Sequence, residues 1–155
     1  MGVRAVKAVW LFALLLFVPM TVGQANEFAQ GELAIESSGQ QHHFQIEIAL
    51  TDAQRAQGLM FRETLAEDAG MLFDYGHPAR VAMWMKNTLI PLDMLFIRAD
   101  GTIEKIQRRT VPQSLEPIAS VGDVRAVLEI GGGVSEKLGI EVGDRVLHSI
   151  FGTEF

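Results

Sequence analysis

Trp84, Lys86, Asn87 and Asp93 bring an aromatic face, an ammonium, an amide and a carboxylate into one short stretch of chain. A flat ring with a few convergent polar groups is a common way to hold a small polar molecule, and sugars suit that set. Arg55 and Arg62 could each add a bidentate contact to a carboxylate or phosphate. Their plainer role is surface pairing with Glu63, Glu67 or Asp68, which contributes little. Asp93 stands in a run that is otherwise apolar to Ile97, and Glu129 has Val127, Leu128 and Ile130 beside it. A buried carboxylate is costly unless paired or hydrogen-bonded, with Lys86, Arg55 and Arg62 as candidate partners for Asp93. As a pair, Asp93 and Glu129 could act as acid and base in glycoside cleavage, although any two acids in a β protein satisfy that pattern. The favoured reading of Asp93 is an acceptor of hydrogen bonds that pins the loop at residues 87–91.

Met83 and Met85 would share one face of a strand, about 7 Å apart. Two thioethers invite Cu(I), with His42, His43, His77, His148, Met60 or Met71 as further donors. Methionine more often fills irregular β cores, and no His-rich tract supports capture, so no metal is expected. No Ser-His-Asp set, His-Glu-x-x-His helix, phosphate loop or EF-hand loop is present. No cofactor is expected, and a binding or accessory role is favoured over an enzyme or a bare scaffold. The partner would be a small polar ligand or another protein.

Composition narrows the setting. Lys and Arg number 13 against 19 Asp and Glu, a net charge of −6, which argues against a nucleic-acid binder. The Cys count is 0, which excludes disulfides, thiolate metal sites and thiol catalysis. Arg4 and Lys7 precede an unbroken apolar run over residues 8–18, Pro19 ends it, and Gly23-Gln24-Ala25 offers small residues three apart. This is the pattern of a cleavable secretory signal over residues 1–25, too short to span a bilayer. Residues 26–155 are then one domain, periplasmic or secreted, with no membrane span left.

The elements that must position these side chains read as mainly β. Residues 43–50 alternate, with Phe44, Ile46, Ile48 and Leu50 on one face. Thr51 with Gln54 has capping-box form and starts a short helix that Gly58 can end. Strands are expected at 32–36, 70–75 (stopped by Gly76-His77-Pro78), 80–86, 92–98, 102–109, 125–130 and 145–151, with residues 26–31 a loose tail. Asp100-Gly101 marks a hairpin. Residues 111–123 read as a long surface connection, and 134–138 as a helical turn. The fold class is a β-rich α+β domain: a compact antiparallel sandwich or barrel, jelly-roll-like, with one or two short helices.

Some blocks are unusual and collinear: Arg55-Ala56-Gln57-Gly58-Leu59-Met60-Phe61-Arg62, Gly70-Met71-Leu72-Phe73, Met83-Trp84-Met85-Lys86-Asn87-Thr88 and Pro91-Leu92-Asp93-Met94-Leu95-Phe96-Ile97. Val127-Leu128-Glu129-Ile130, the glycines after it and Gly143-Asp144 complete the set. Together they resemble the bacterial and archaeal domain of unknown function 192 family, over roughly residues 46–150. The resemblance implies a compact, mainly β, jelly-roll-like fold, often exported. It implies no activity, cofactor or site residue.

Overall fold

The computed structural model describes residues 27–154 together with Gly2. Except for Gly2, the expected secretory segment lies outside the described residues. The chain runs β1 (Ala29–Ser37), β2 (Gln40–Ala49), α1 (Asp52–Gln57), β3 (Ala69–Ala79), β4 (Ala82–Met83), β5 (Leu92–Ile97), β6 (Ile103–Gln107), β7 (Ile118–Ala119), β8 (Val124–Gly131), α2 (Val134–Lys137) and β9 (Arg145–Leu147). A 3-10 turn, Ser149–Phe151, follows. Among these residues no helix is long and apolar enough to cross a membrane.

Seven strands form one sheet in the order β6-β5-β8-β3-β2-β1-β9, and β4 pairs with β7 as a separate ribbon. The large sheet curls until its two ends meet. Thr102 bridges Arg145, the Ile103 N–H donates to the Asp144 carbonyl at 2.9 Å, and the Val146 N–H donates to the Gly101 carbonyl at 2.8 Å. Gly101 makes that seam possible. Its φ is +86°, and a Cβ there would lie 2.6 Å from the Val146 carbonyl oxygen. Gly101→Ala is therefore expected to destabilise the protein by about 1–3 kcal/mol, measured by urea unfolding. An unchanged midpoint would mean that the seam yields freely.

Burial explains the long apolar runs. Strands β3, β5 and β8 are covered on both faces, so every residue of β5 is inaccessible. One face carries Leu72, Leu95, Leu128 and Ile130 into the concave interior with Leu33, Ile35, Phe44 and Ile46. The other carries Met71, Phe73, Met94, Phe96 and Val127 against Leu59, Met83 and Met85. A strand buried on both faces reads as continuous hydrophobicity rather than alternation.

Several elements differ from the sequence reading. Residues 29–31 belong to β1 rather than a loose tail, because β1 pairs with β2 from Ala29↔Ile48 onward. β3 continues past Gly76-His77-Pro78 as an irregular strand, with a register shift between Asp74 and Ala79. Of residues 80–86 only Ala82–Met83 is strand, paired with a short strand inside the expected 111–123 connection. β9 ends at Leu147, where the His148 side chain accepts from the Ile150 N–H and starts the 3-10 turn. The sheet is antiparallel except between β2 and β3, which run parallel. The crossover passes through α1, whose capping box forms as expected: the Thr51 side chain accepts from the Gln54 N–H, and the Gln54 side chain accepts from the Thr51 N–H.

Candidate functional site

A hollow of about 250 Å³ opens where α1 and the residues after it face β3, β4 and β8. Register decides which side chains reach it. Glu129 pairs with Met71 on one side and Met94 on the other, so it shares their face of the sheet. Two residues along β3, Phe73 and Tyr75 continue that face and line the hollow too. Trp84 and Lys86 flank it from the segment after β4, and Arg55 and Met60 from α1 and the turn beyond.

Glu129 is 4% exposed. Among the described residues its carboxyl has no hydrogen-bond or ion-pair partner. No fully enclosed side-chain oxygen or nitrogen there lacks a partner, so the Glu129 oxygens open to the hollow. Burial pushes the carboxyl up to about 8, leaving it mainly protonated at neutral pH. As the neutral acid it both donates and accepts a hydrogen bond. Tyr75 donates its hydroxyl to the Met83 sulfur at 3.2 Å. Burial pushes this phenol up to about 12; Arg55 opposes the shift and Glu129 adds to it.

The rim is cationic. The Lys86 ammonium stands 5.1 Å from the Trp84 ring centre, and Trp84 is 48% exposed. The Arg55 guanidinium lies 5.2 Å from the Tyr75 ring centre. Arg55 also donates to the Leu50 and Asp74 carbonyls, at 2.7 Å each, and to Asp52. The Asp74 carboxylate is turned away, in a two-pronged pair with Arg125 at 2.8 and 3.0 Å. Burial pushes Asp74 up, but Arg125, the Gly76 N–H and the Arg55 charge together hold it below the usual carboxylate range.

The loops behind Trp84 are tied together by backbone. The Phe61 N–H donates to the Asn87 carbonyl, the Met85 N–H to the Ser114 carbonyl, and the Gln113 N–H to the Thr88 carbonyl. Phe61, Asn87, Arg109 and Gln113 all hold left-handed backbone without being glycine. Such conformations persist where the surroundings over-determine them.

Of the residues singled out from sequence, Trp84, Lys86, Arg55 and Glu129 come together. Asn87 sits just behind, its amide 3.7 Å from the Met60 sulfur. Arg62 pairs with Glu47, outside the hollow. Asp93 lies on the opposite face of the sheet, paired across to Ile130, and is wholly enclosed. It accepts from the Arg109 N–H at 2.8 Å, the Gly133 N–H at 2.9 Å, and the Ser135 N–H and hydroxyl at 3.0 and 2.6 Å. It is therefore a pin, but for the turn after β8 and the end of β6 rather than for the 87–91 loop. Asp93 and Glu129, back to back across a sheet and both buried, cannot flank one glycosidic bond, which removes the paired-carboxylate hydrolase. The Met83 and Met85 sulfurs have separate partners, and the two residues line different hollows: Met83 accepts from the Tyr75 hydroxyl, and the Met85 sulfur lies 3.1 Å from the Thr110 hydroxyl, which also reaches the Leu92 carbonyl. His43 instead contacts Glu32 at 3.1 Å. No group of three His, Cys, Asp or Glu side chains suited to a metal occurs among the described residues. Sequence reasoning missed Tyr75 and Phe73; their signal was strand parity with Glu129, visible only once β3 and β8 are in register.

Fold and site define a small domain built on one curled, mainly antiparallel sheet, with an aromatic, cation-rimmed hollow on its outer face. The chain belongs to the family described as Uncharacterized ACR, domain of unknown function 192, which it matches over residues 33–148. Its fold is shared with a proposed transcription regulator of Sinorhizobium meliloti 1021, 43% identical over 80% of this chain and 97% of that one, with a TM-score of 0.78. A protein of unknown function from Novosphingobium aromaticivorans DSM 12444 is 38% identical over 77% and 85% of the two chains, with a TM-score of 0.75. No curated protein matches the chain.

Proposed function

We propose that this chain is an exported binding domain that holds a small, hydroxyl-rich ligand, such as a sugar, in the Trp84 hollow. One observation carries the reading. Glu129 is a buried carboxyl with no hydrogen-bond or ion-pair partner among the described residues, open to the same hollow as a half-exposed tryptophan. A ligand hydroxyl can hydrogen-bond Glu129 in place of the water that reaches it through the hollow, while the indole face covers the ring. The proposed regulator role of the Sinorhizobium protein is not carried over, because an acidic chain of net charge −6 lacks the basic stripe that phosphates need.

Export rests on the leader pattern of residues 1–25. Cell fractionation with N-terminal sequencing tests it: a periplasmic or secreted chain beginning at Asn26 is expected. Recovery from the cytosol with Met1 in place would overturn it.

The other tryptophan is Trp10, inside the leader, so the processed protein reports on Trp84 alone. Titration with D-glucose, D-galactose and D-mannose is expected to shift its emission for at least one sugar. Calorimetry should then show that Trp84→Ala binds that sugar roughly 10- to 30-fold more weakly, with little change in unfolding midpoint. Silence across the panel would favour a scaffold with no small-molecule site.

A further inference from the structure

We infer that the ligand of this hollow is an acid as well as a polyol: a sugar-sized hydroxy-carboxylate whose anionic group meets the Lys86 ammonium while a hydroxyl meets Glu129. The inference rests on the binding reading above and names the class of molecule for that same site.

Charge placement is the first argument. The chain as a whole is acidic, at −6. The hollow inverts that sign: its lining includes Arg55 and Lys86, and its one acid is Glu129. Burial keeps that acid mainly protonated at neutral pH. A concave site of one sign with low-dielectric walls focuses its field outward and draws the opposite charge in.

The second argument separates the two cations. Arg55 is occupied by two carbonyls and by Asp52. Lys86 is different. Among the described residues it pairs with no carboxylate, and the contact of its ammonium is the Trp84 ring. An ammonium held 5.1 Å from the centre of the indole can meet an anionic substituent of a ring that packs beside it. A carboxylate there gains a charge-assisted hydrogen bond, which a neutral hydroxymethyl group does not.

The third argument is the protonated floor. A second carboxylate directed at Glu129 would be repelled once either acid ionised, whereas a hydroxyl can accept from and donate to the neutral acid. The hollow is thus polarised, with neutral hydrogen bonding at its base and positive charge at its lip.

D-Glucuronate and D-glucose differ at one carbon, so they separate the charge inference from the site reading. At neutral pH and low salt, the purified protein is expected to bind glucuronate about tenfold more tightly than glucose. That advantage should vanish in Lys86→Met, which keeps the stem over the indole, and should shrink on raising the salt. Lys86 is exposed, so the variant is expected to fold, and its thermal midpoint checks this. Equal affinities in the wild type, or an advantage that survives Lys86→Met, overturn the inference and leave the binding reading standing. Sodium acetate bound as tightly as glucuronate also overturns it, because the site would then take a bare anion. If neither sugar binds, both readings fall.

Discussion

Glu129→Gln will flatten a decline in stability that the wild-type protein shows as pH rises from about 4.5 to about 8. The carboxyl titrates near 4.5 when unfolded and is pushed up to about 8 by burial in the native state. Between those values the folded protein holds a proton that the unfolded chain has released, so stability is highest below the lower value and is lost toward the upper one. The size is on the order of a few kcal/mol, moderated by the access that the hollow gives to water. The neighbouring groups do not mimic this. Tyr75 titrates far above the window. Burial lowers His148, so its contribution has the opposite slope, gained as pH rises toward 6.5. Urea unfolding of both proteins across the window isolates the Glu129 share. The variant should match the wild type at the acid end and exceed it at the alkaline end. Parallel curves would show that the Glu129 carboxyl is well solvated and that the hollow has no dry floor.

Asp93→Ala is expected to lower stability by about 3–5 kcal/mol, because several donors lose their common acceptor at once and each unmade buried hydrogen bond costs roughly 1–3 kcal/mol. Three backbone N–H groups and the Ser135 hydroxyl converge on this carboxyl. Alanine strands them in a dry interior, where each unmade hydrogen bond carries a desolvation penalty. Ser135→Ala, which removes one donor to Asp93 and the acceptor of the Arg108 Nε–H, should cost about 1–2 kcal/mol. Because Asp93 faces away from the hollow, the surviving folded protein should bind ligand as the wild type does. A loss below about 1 kcal/mol for Asp93→Ala would end the idea of a pin.

How much of this was legible in the chain depended on the range of the interactions. The capping box at Thr51 and Gln54, the Asp100-Gly101 hairpin and the glycine-bounded turn of α2 are local chemistry, and they formed where expected. Trp84, Lys86 and Asp93 drew attention because polar groups stood among apolar ones. What they do depended on the partner strand. Asp93 and Met94 are adjacent in sequence, yet they face opposite sides of the sheet, and only the pairing of β5 with β8 shows which side Glu129 shares. The continuous apolar runs of β5 and β8 concealed their parity because both faces are buried. The short pairing of β4 with β7 and the parallel run of β2 beside β3 are contacts across long stretches of chain that local pattern does not encode.

The floor of the hollow and its walls belong to different mechanical regimes. Glu129 rides on the most enclosed strands of the sheet, whose amides should be among the last to exchange with deuterium. Trp84 and Lys86 ride on irregular segments that are tethered by a few backbone hydrogen bonds. A substitution at a wall position can therefore reshape the mouth of the hollow without disturbing the sheet beneath it. The acid at the bottom is fixed by the sheet, and the side chains at the lip are fixed by loops.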